Sequence, residues 1–242
     1  MKPKYYLFIT AIIVTGITSC KKNEFDTKPM ASLNVINAVI GGGDVKINMN
    51  YRDSAKSYNA KTFGLQTGEE SIRVYSTLDS TKPYYLQEHN LKSGGLYSMF
   101  LFGNSPSPET IFIEDAIPHY TDSAMGVRIV NLASGSGALN VTTATDPSAN
   151  ILENIAYKGL SDFVKISMPG NLTAESVTFD IRDAATNEVL TTYSLPEFED
   201  FNYPGISIAR QRFKGITLVV KGISGQIDGV DAFGVYPVVC SY

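Results

Sequence analysis

The feature that most constrains this chain is that it repeats itself. Ala31-Ser-Leu-Asn-Val-Ile-Asn-Ala38 is echoed by Met125-Gly-Val-Arg-Ile-Val-Asn-Leu132, and the last polar residue of each run is an asparagine, Asn37 or Asn131. A Gly-rich turn follows each run (Gly41 to Gly43, Gly135 to Gly137), and then a second alternating strand (Val45 to Met49, Leu139 to Thr143). Further along, Phe63-Gly64-Leu65 is matched by Tyr157-Lys-Gly159-Leu160, Ser71 to Tyr75 by Phe163 to Ser167, and Leu96 to Gly103 by Gly215 to Gly222. Self-similarity over so long a period means that one folding unit occurs twice, in copies of roughly 90 and 120 residues.

The local pattern says what kind of unit it is. No segment keeps an i, i+3, i+4, i+7 apolar stripe for three turns. Short apolar-alternating runs instead recur at intervals of about 8–12 residues, broken by Gly, Asn, Asp and Pro. A half-buried strand must cover one face, and two antiparallel sheets do this without helices. The fold class expected is therefore all-β: two tandem immunoglobulin-like antiparallel β-sandwiches, over residues 31–121 and 122–242. The chain has no Trp and only two cysteines, Cys20 and Cys240, so the Trp-and-disulfide core of antibody domains is excluded while the sandwich is not. Ile117 to Ser123 reads as the linker of a two-domain rod, because Pro118 cannot donate to a strand ladder. Ser134 to Gly137 and Gln226 to Asp231 read as hairpin connections.

The first twenty residues give an address. Lys2 and Lys4 precede an apolar run from Tyr5 to Ile17, and Ile17-Thr-Ser-Cys20 closes it. A basic start, an apolar core and small residues before a cut describe an export signal over 1–19. The run falls short of the roughly 20 apolar residues of a permanent membrane span. A cysteine at the cut resembles the bacterial lipobox, which makes Cys20 a lipidated N-terminus and residues 20–30 its tether. Acyl chains, at about 0.8 kcal/mol per buried methylene, would make the membrane the first partner. The location expected is the outer membrane, at its periplasmic face or the cell surface.

Taken together, the lipobox, a first strand of the "R-V-V-N-A" type, an alternating second strand and a late "G-x-Y-T-x-x-x-x-G" strand resemble the DUF4397 domain of exported Bacteroidota lipoproteins, in two copies over Ala31 to Gly222. The first-strand Arg occurs as Arg128 in the second copy, where the first has Asn34. The resemblance implies an immunoglobulin-like sandwich at the cell envelope and brings no established catalytic residues.

Charge and chemistry narrow the function classes. Loss of the signal takes Lys2 and Lys4 and leaves 18 basic residues against 24 acidic ones, with no Lys/Arg cluster, so a nucleic-acid partner is not expected. His89 and His119, the chain's two histidines, read as solvated loop residues outside any zinc-binding spacing. Val238-Val239-Cys240 reads as the tail of a buried strand, with Cys240 a small hydrophobe. Ser134 to Gly137 lacks the context of a hydrolase elbow. Asp44, Asn48, Asn50 and Asp53 read as the wet face of a strand rather than a calcium site. Without a convergent acid, base and nucleophile the reading is non-enzymatic, with no cofactor and no metal.

A binding role has one favoured location. Pro196 to Tyr203 interleaves the rings of Phe198, Phe201 and Tyr203 with the carboxylates of Glu197, Glu199 and Asp200, a combination suited to a carbohydrate or protein ligand. Three Asp-Ser-Ala/Thr triplets resemble the O-glycosylation acceptor of Bacteroidota and mark Ser54, Ser80 and Ser123. The function expected is a membrane-anchored envelope lipoprotein acting as a binding or structural module. The alternative is an adhesin or fimbria-like component, with Val235 to Tyr242 as an exposed donor strand.

Overall fold

The computed structural model describes residues 28–48, 50, 52–170, 177–198, 202 and 206–240. Cys20, the signal segment, Glu199, Asp200, Phe201 and Tyr203 lie outside the described residues. Among those described the chain is all-β. Strands β1 (Met30–Ile40), β2 (Val45–Ile47), β3 (Asn59–Gln66), β4 (Gly68–Ser76), β5 (Pro83–Leu91), β6 (Leu96–Asn104) and β7 (Glu109–Glu114) form two sheets, ordered β3-β1-β6-β7 and β2-β4-β5. Strands β8 (Ala124–Asn131), β9 (Leu139–Thr143), β10 (Asp146–Ile155), β11 (Val164–Ser167), β12 (Thr178–Asp183), β13 (Val189–Ser194), β14 (Gly215–Lys221) and β15 (Gly234–Cys240) form two more, ordered β11-β8-β14-β15 and β10-β9-β12-β13. One short helix, α1 (Ile208–Gln211), precedes β14 and is capped by the Ser207 hydroxyl, which accepts the Arg210 N–H. No helix of the described residues is long and apolar enough to cross a membrane.

Strand pairing aligns the two repeats. β1 lies antiparallel to β3 and parallel to β6, and β8 lies antiparallel to β11 and parallel to β14. Leu96 faces Ser32 and Gly215 faces Gly126, the register that the sequence match of β6 with β14 implies. Two other matches are corrected. Ser71 to Tyr75 lies in β4, whose topological counterpart is β12, not the β11 segment around Phe163 to Ser167. The counterpart of Lys158 is Tyr58. Their N–H groups donate to the carbonyls of Asn131 (2.7 Å) and Asn37 (2.8 Å), and both residues have left-handed φ, 67° and 53°. Alternating runs share a period of two, so sequence alone cannot tell one strand of a sandwich from another.

The Asn that ends each first strand has a structural cause. Asn37 and Asn131 are fully buried. The Asn37 side-chain amide donates to Gly43 O (3.0 Å) and Ala55 O (3.4 Å), and that of Asn131 to Gly137 O (3.0 Å) and Ile155 O (3.2 Å). Each amide thus satisfies carbonyls that the chain buries while it crosses from one sheet to the other. The Gly-rich segments after β1 and β8 are therefore arches between sheets, where hairpins were expected.

Each pair of sheets encloses its own core. Leu33, Ile47, Ile72, Val74 and Met99 meet in the first half, and Val127, Val141, Phe179, Ile181 and Leu218 in the second. A third cluster joins the halves: Ile36, Ala38, Phe100 and Phe102 pack on Val130, Leu132, Val219, Tyr236 and Val238. Ile36 and Val130, Ala38 and Leu132, and Phe100 and Val219 are repeat equivalents, so each copy offers the same patch, as in a two-fold dimer. The two halves thus share a buried apolar face, where the linker led to the expectation of a rod. Burial along β1 records this, alternating up to Val35 and then continuous through Ile40. Each fully buried Ile or Phe adds about 1.5–3 kcal/mol, so the joint is substantial.

The supposed linker and donor strand are also tied in. Lys165 Nζ donates to Asp122 Oδ2 at 2.6 Å, which pins the segment before β8. Val235 to Cys240 is paired along β14, with Tyr236, Val238 and Cys240 buried, and so is not an exposed strand.

Candidate functional site

A cleft opens on the first half, where edge strand β3 leaves the turn after β2. It has a volume of 490 Å³, with Met30, Ile47, Phe63 and Leu65 as apolar lining and Asn48, Asn50, Asp53 and Glu70 among its polar groups. Local chemistry builds it. β2 stops after three residues because Asn48 turns with φ 46°, a conformation that Asn tolerates better than most residues. Its Oδ1 accepts the Arg73 N–H at 2.7 Å, and its amide donates to Glu70 Oε1 at 3.4 Å. Asn50 Oδ1 accepts the N–H groups of Arg52 (3.1 Å) and Asp53 (3.0 Å), closing an Asx turn. Lys61 pairs with Asp53 at 3.3 Å. The expected wet strand face is thus the polar wall of a groove.

The repeat shows what the groove lacks. Val45 bridges Ala55 as its equivalent Leu139 bridges Ile155. From there β10 continues along β9, pairing Leu152 with Val141 and Asn150 with Thr142, and Ile151, Leu152 and Ile155 join the core. Among the described residues the first half has the Ala55 bridge at this edge, and Ile47, the equivalent of Val141, faces the cleft. The lining sets the carboxylates of Asp53 and Glu70 and the amides of Asn48, Asn50 and Gln66 beside apolar side chains, so the groove offers hydrogen-bonding groups next to apolar contact.

A second cavity, of 290 Å³, lies between the halves, lined by Ser32, Asn34, Thr62, Ser98, Asp115 and Cys240 among others. On one side of it Arg128 Nη2 meets Asp115 Oδ1 at 2.7 Å, each side chain only 5% exposed. Arg128 Nε also donates to Thr217 Oγ1 (2.8 Å), its guanidinium lies 4.5 Å from the Phe163 ring centre, and the Ser98 hydroxyl donates to Asp115. Burial pushes the Cys240 thiol up from its ordinary value against the lowering pull of Arg128, so it stays protonated and poorly nucleophilic. Its expected place on a buried strand is what the structure has. Sequence did not single out Asp115, which directly follows β7, outside any alternating run, and gives no sequence signal.

Phe198 is 82% exposed and Glu197 is exposed, while their four partners lie outside the described residues. Ser80 and Ser123 are exposed; Ser54 is half-buried and its hydroxyl donates to Asp44. The Ser123 hydroxyl donates to the Met168 carbonyl. His89 is not a solvated loop residue. It lies on β5, its Nε2 2.5 Å from the Tyr85 hydroxyl and its ring 4.0 Å from that of Phe112, where burial holds its pKa below the ordinary value. It closes the open edge between β5 and β7.

Compared with known proteins, the chain matches no protein-family model and no curated protein.

Proposed function

We propose that this protein is a non-enzymatic envelope lipoprotein, held to the outer membrane by lipid on Cys20, whose two immunoglobulin-like sandwiches form a binding module of the DUF4397 type. The ligand it suits best is an extended peptide laid in the groove beside β2 and β3. One observation carries this: the position that β10 fills in the second half, with Leu152 in the core, is an open groove in the first. An added strand would gain main-chain bonds on a strand edge, and an apolar side chain would enter beside Ile47, Phe63 and Leu65.

Two measurements test it. Metabolic labelling with palmitate in a bacterial host should mark the protein and should fail on Cys20→Ala; labelling that persists would remove the anchor. Gln66→Trp, on the groove wall, should weaken any selected groove peptide by roughly tenfold or more while leaving the thermal melt unchanged. Undiminished binding would remove the groove.

A further inference from the structure

The polar end of the joint between the halves is built differently by the two copies. Asn34 is paired with Ser98 along β1 and β6 as Arg128 is with Thr217 along β8 and β14. Asp115, whose N–H donates to Leu96 O at 2.8 Å, stands where Cys240 stands opposite Gly215. The Arg128–Asp115 pair across the halves therefore has Asn34 and Cys240 as its counterpart. On one side the joint is filled: the Arg128 guanidinium reaches Asp115, with the Phe163 ring against it. On the other, Asn34 and its β3 neighbour Thr62 are too short to fill the counterpart space, and the 290 Å³ cavity opens among them, Asp115 and Cys240.

This cavity has a mouth and a floor. Thr62 is exposed and Ser32 and Asn34 are half-buried at the entrance, whereas Ser98, Cys240 and the Asp115 side chain are buried. Its volume far exceeds the roughly 30 Å³ of one water and lies at the lower limit of small-molecule pockets, about 300–1,000 Å³. Charge decides the class of occupant. Asp115 is the ionised group in the lining, and Arg128 already neutralises it at 2.7 Å. The group in the counterpart position is a thiol that burial keeps protonated. A cation would find no free carboxylate on the floor, and an anion would meet Asp115; either would stand uncompensated away from water. Hydrogen-bonding capacity remains, because a carboxylate offers about four acceptor sites and Arg128 and the Ser98 hydroxyl use two. Leu96, Ile117 and Val239 add apolar surface beside these polar groups.

We propose that the cavity between the halves binds a neutral, hydroxyl-rich small molecule of monosaccharide size, which donates to Asp115 on the floor and bonds Asn34 at the mouth. Such a ring has hydroxyls at its rim for the polar groups and carbon faces for Leu96 and Val239. The site belongs to the joint and stands whether or not the groove beside β2 and β3 takes a peptide. Thr62 borders both openings, so the test leaves it unchanged.

The test titrates the full chain in lipid nanodiscs with neutral pentoses, hexoses and N-acetylhexosamines, and with agmatine and lactate as charged probes. At least one neutral sugar should bind saturably, with a Kd of about 1 mM or tighter. Asn34→Phe, which puts a ring into the empty space, should weaken that binding at least roughly tenfold. Asn34→Leu, which keeps the volume and removes the amide, should weaken it in the same direction and carries the comparison if the larger variant melts early. The bound sugar should also slow the reaction of Cys240 with methyl methanethiosulfonate, read from the mass of its peptide. Three results would each overturn the proposal: no saturable sugar binding up to about 10 mM, tighter binding of agmatine or lactate than of any sugar, or sugar binding that neither variant weakens. A sugar that binds and leaves the Cys240 reaction unslowed would place it elsewhere and overturn the site.

Discussion

Arg128 and Asp115 face each other across the two halves with almost no water, and neither charge has an easy alternative partner. Removing one should leave the other buried and uncompensated, at a cost of about 3–5 kcal/mol. Arg128→Met alone is therefore expected to lower the urea midpoint sharply, and Arg128→Met combined with Asp115→Leu to recover much of the loss. A double variant no more stable than the single one would mean that the charge pair is not the source. At this scale the sequence was partly legible. Asn37 and Asn131 stood out because they end both copies of one strand, and each proved to bond the same two carbonyls of its own half. Asp115 did not stand out, because its role depends on a partner in the other repeat.

Strands β6 and β14 end on equivalent glycines in different surroundings. Gly103 (φ 81°) would place a new Cβ 3.8 Å from its nearest neighbour, whereas Gly222 (φ 85°) would place one 2.3 Å from Ala232 O. Gly103→Ala should cost only the left-handed conformation, about 1–2 kcal/mol. Gly222→Ala must also push backbone aside and should cost about 3 kcal/mol or more. Thermal melts of the two variants check the order, and equal losses would contradict it. The strand inventory was largely readable from alternation. β10 was not, since Asp146-Pro-Ser-Ala-Asn150 has no period of two and pairs through three register shifts. The candidate groove was unreadable for the same reason: it exists where, among the described residues, the first copy has no counterpart of that strand.

At the scale of the molecule the shared face predicts cooperativity. Ile36, Phe100 and Val219 belong to a core shared by both halves, so the wild type should unfold in one calorimetric transition. Phe100→Ala should lower that transition as a whole, by about 3–5 kcal/mol of stability. Val219→Asp buries an unpaired charge in the joint and should split the melt into two; two transitions in the wild type itself would show the halves to be independent.

The sequence alone determined the strand-rich class, the repeat and the asparagine that pins each arch, because period, turn residues and a buried amide act over short stretches of chain. Tertiary structure decided which strands are partners, that the two halves share a buried face, and where the clefts open. Those outcomes depend on which faces meet. The signal for it, apolar residues at both parities of Val35 to Ile40, Met99 to Phe102 and Ile129 to Leu132, says that both faces of a strand are covered without saying by what.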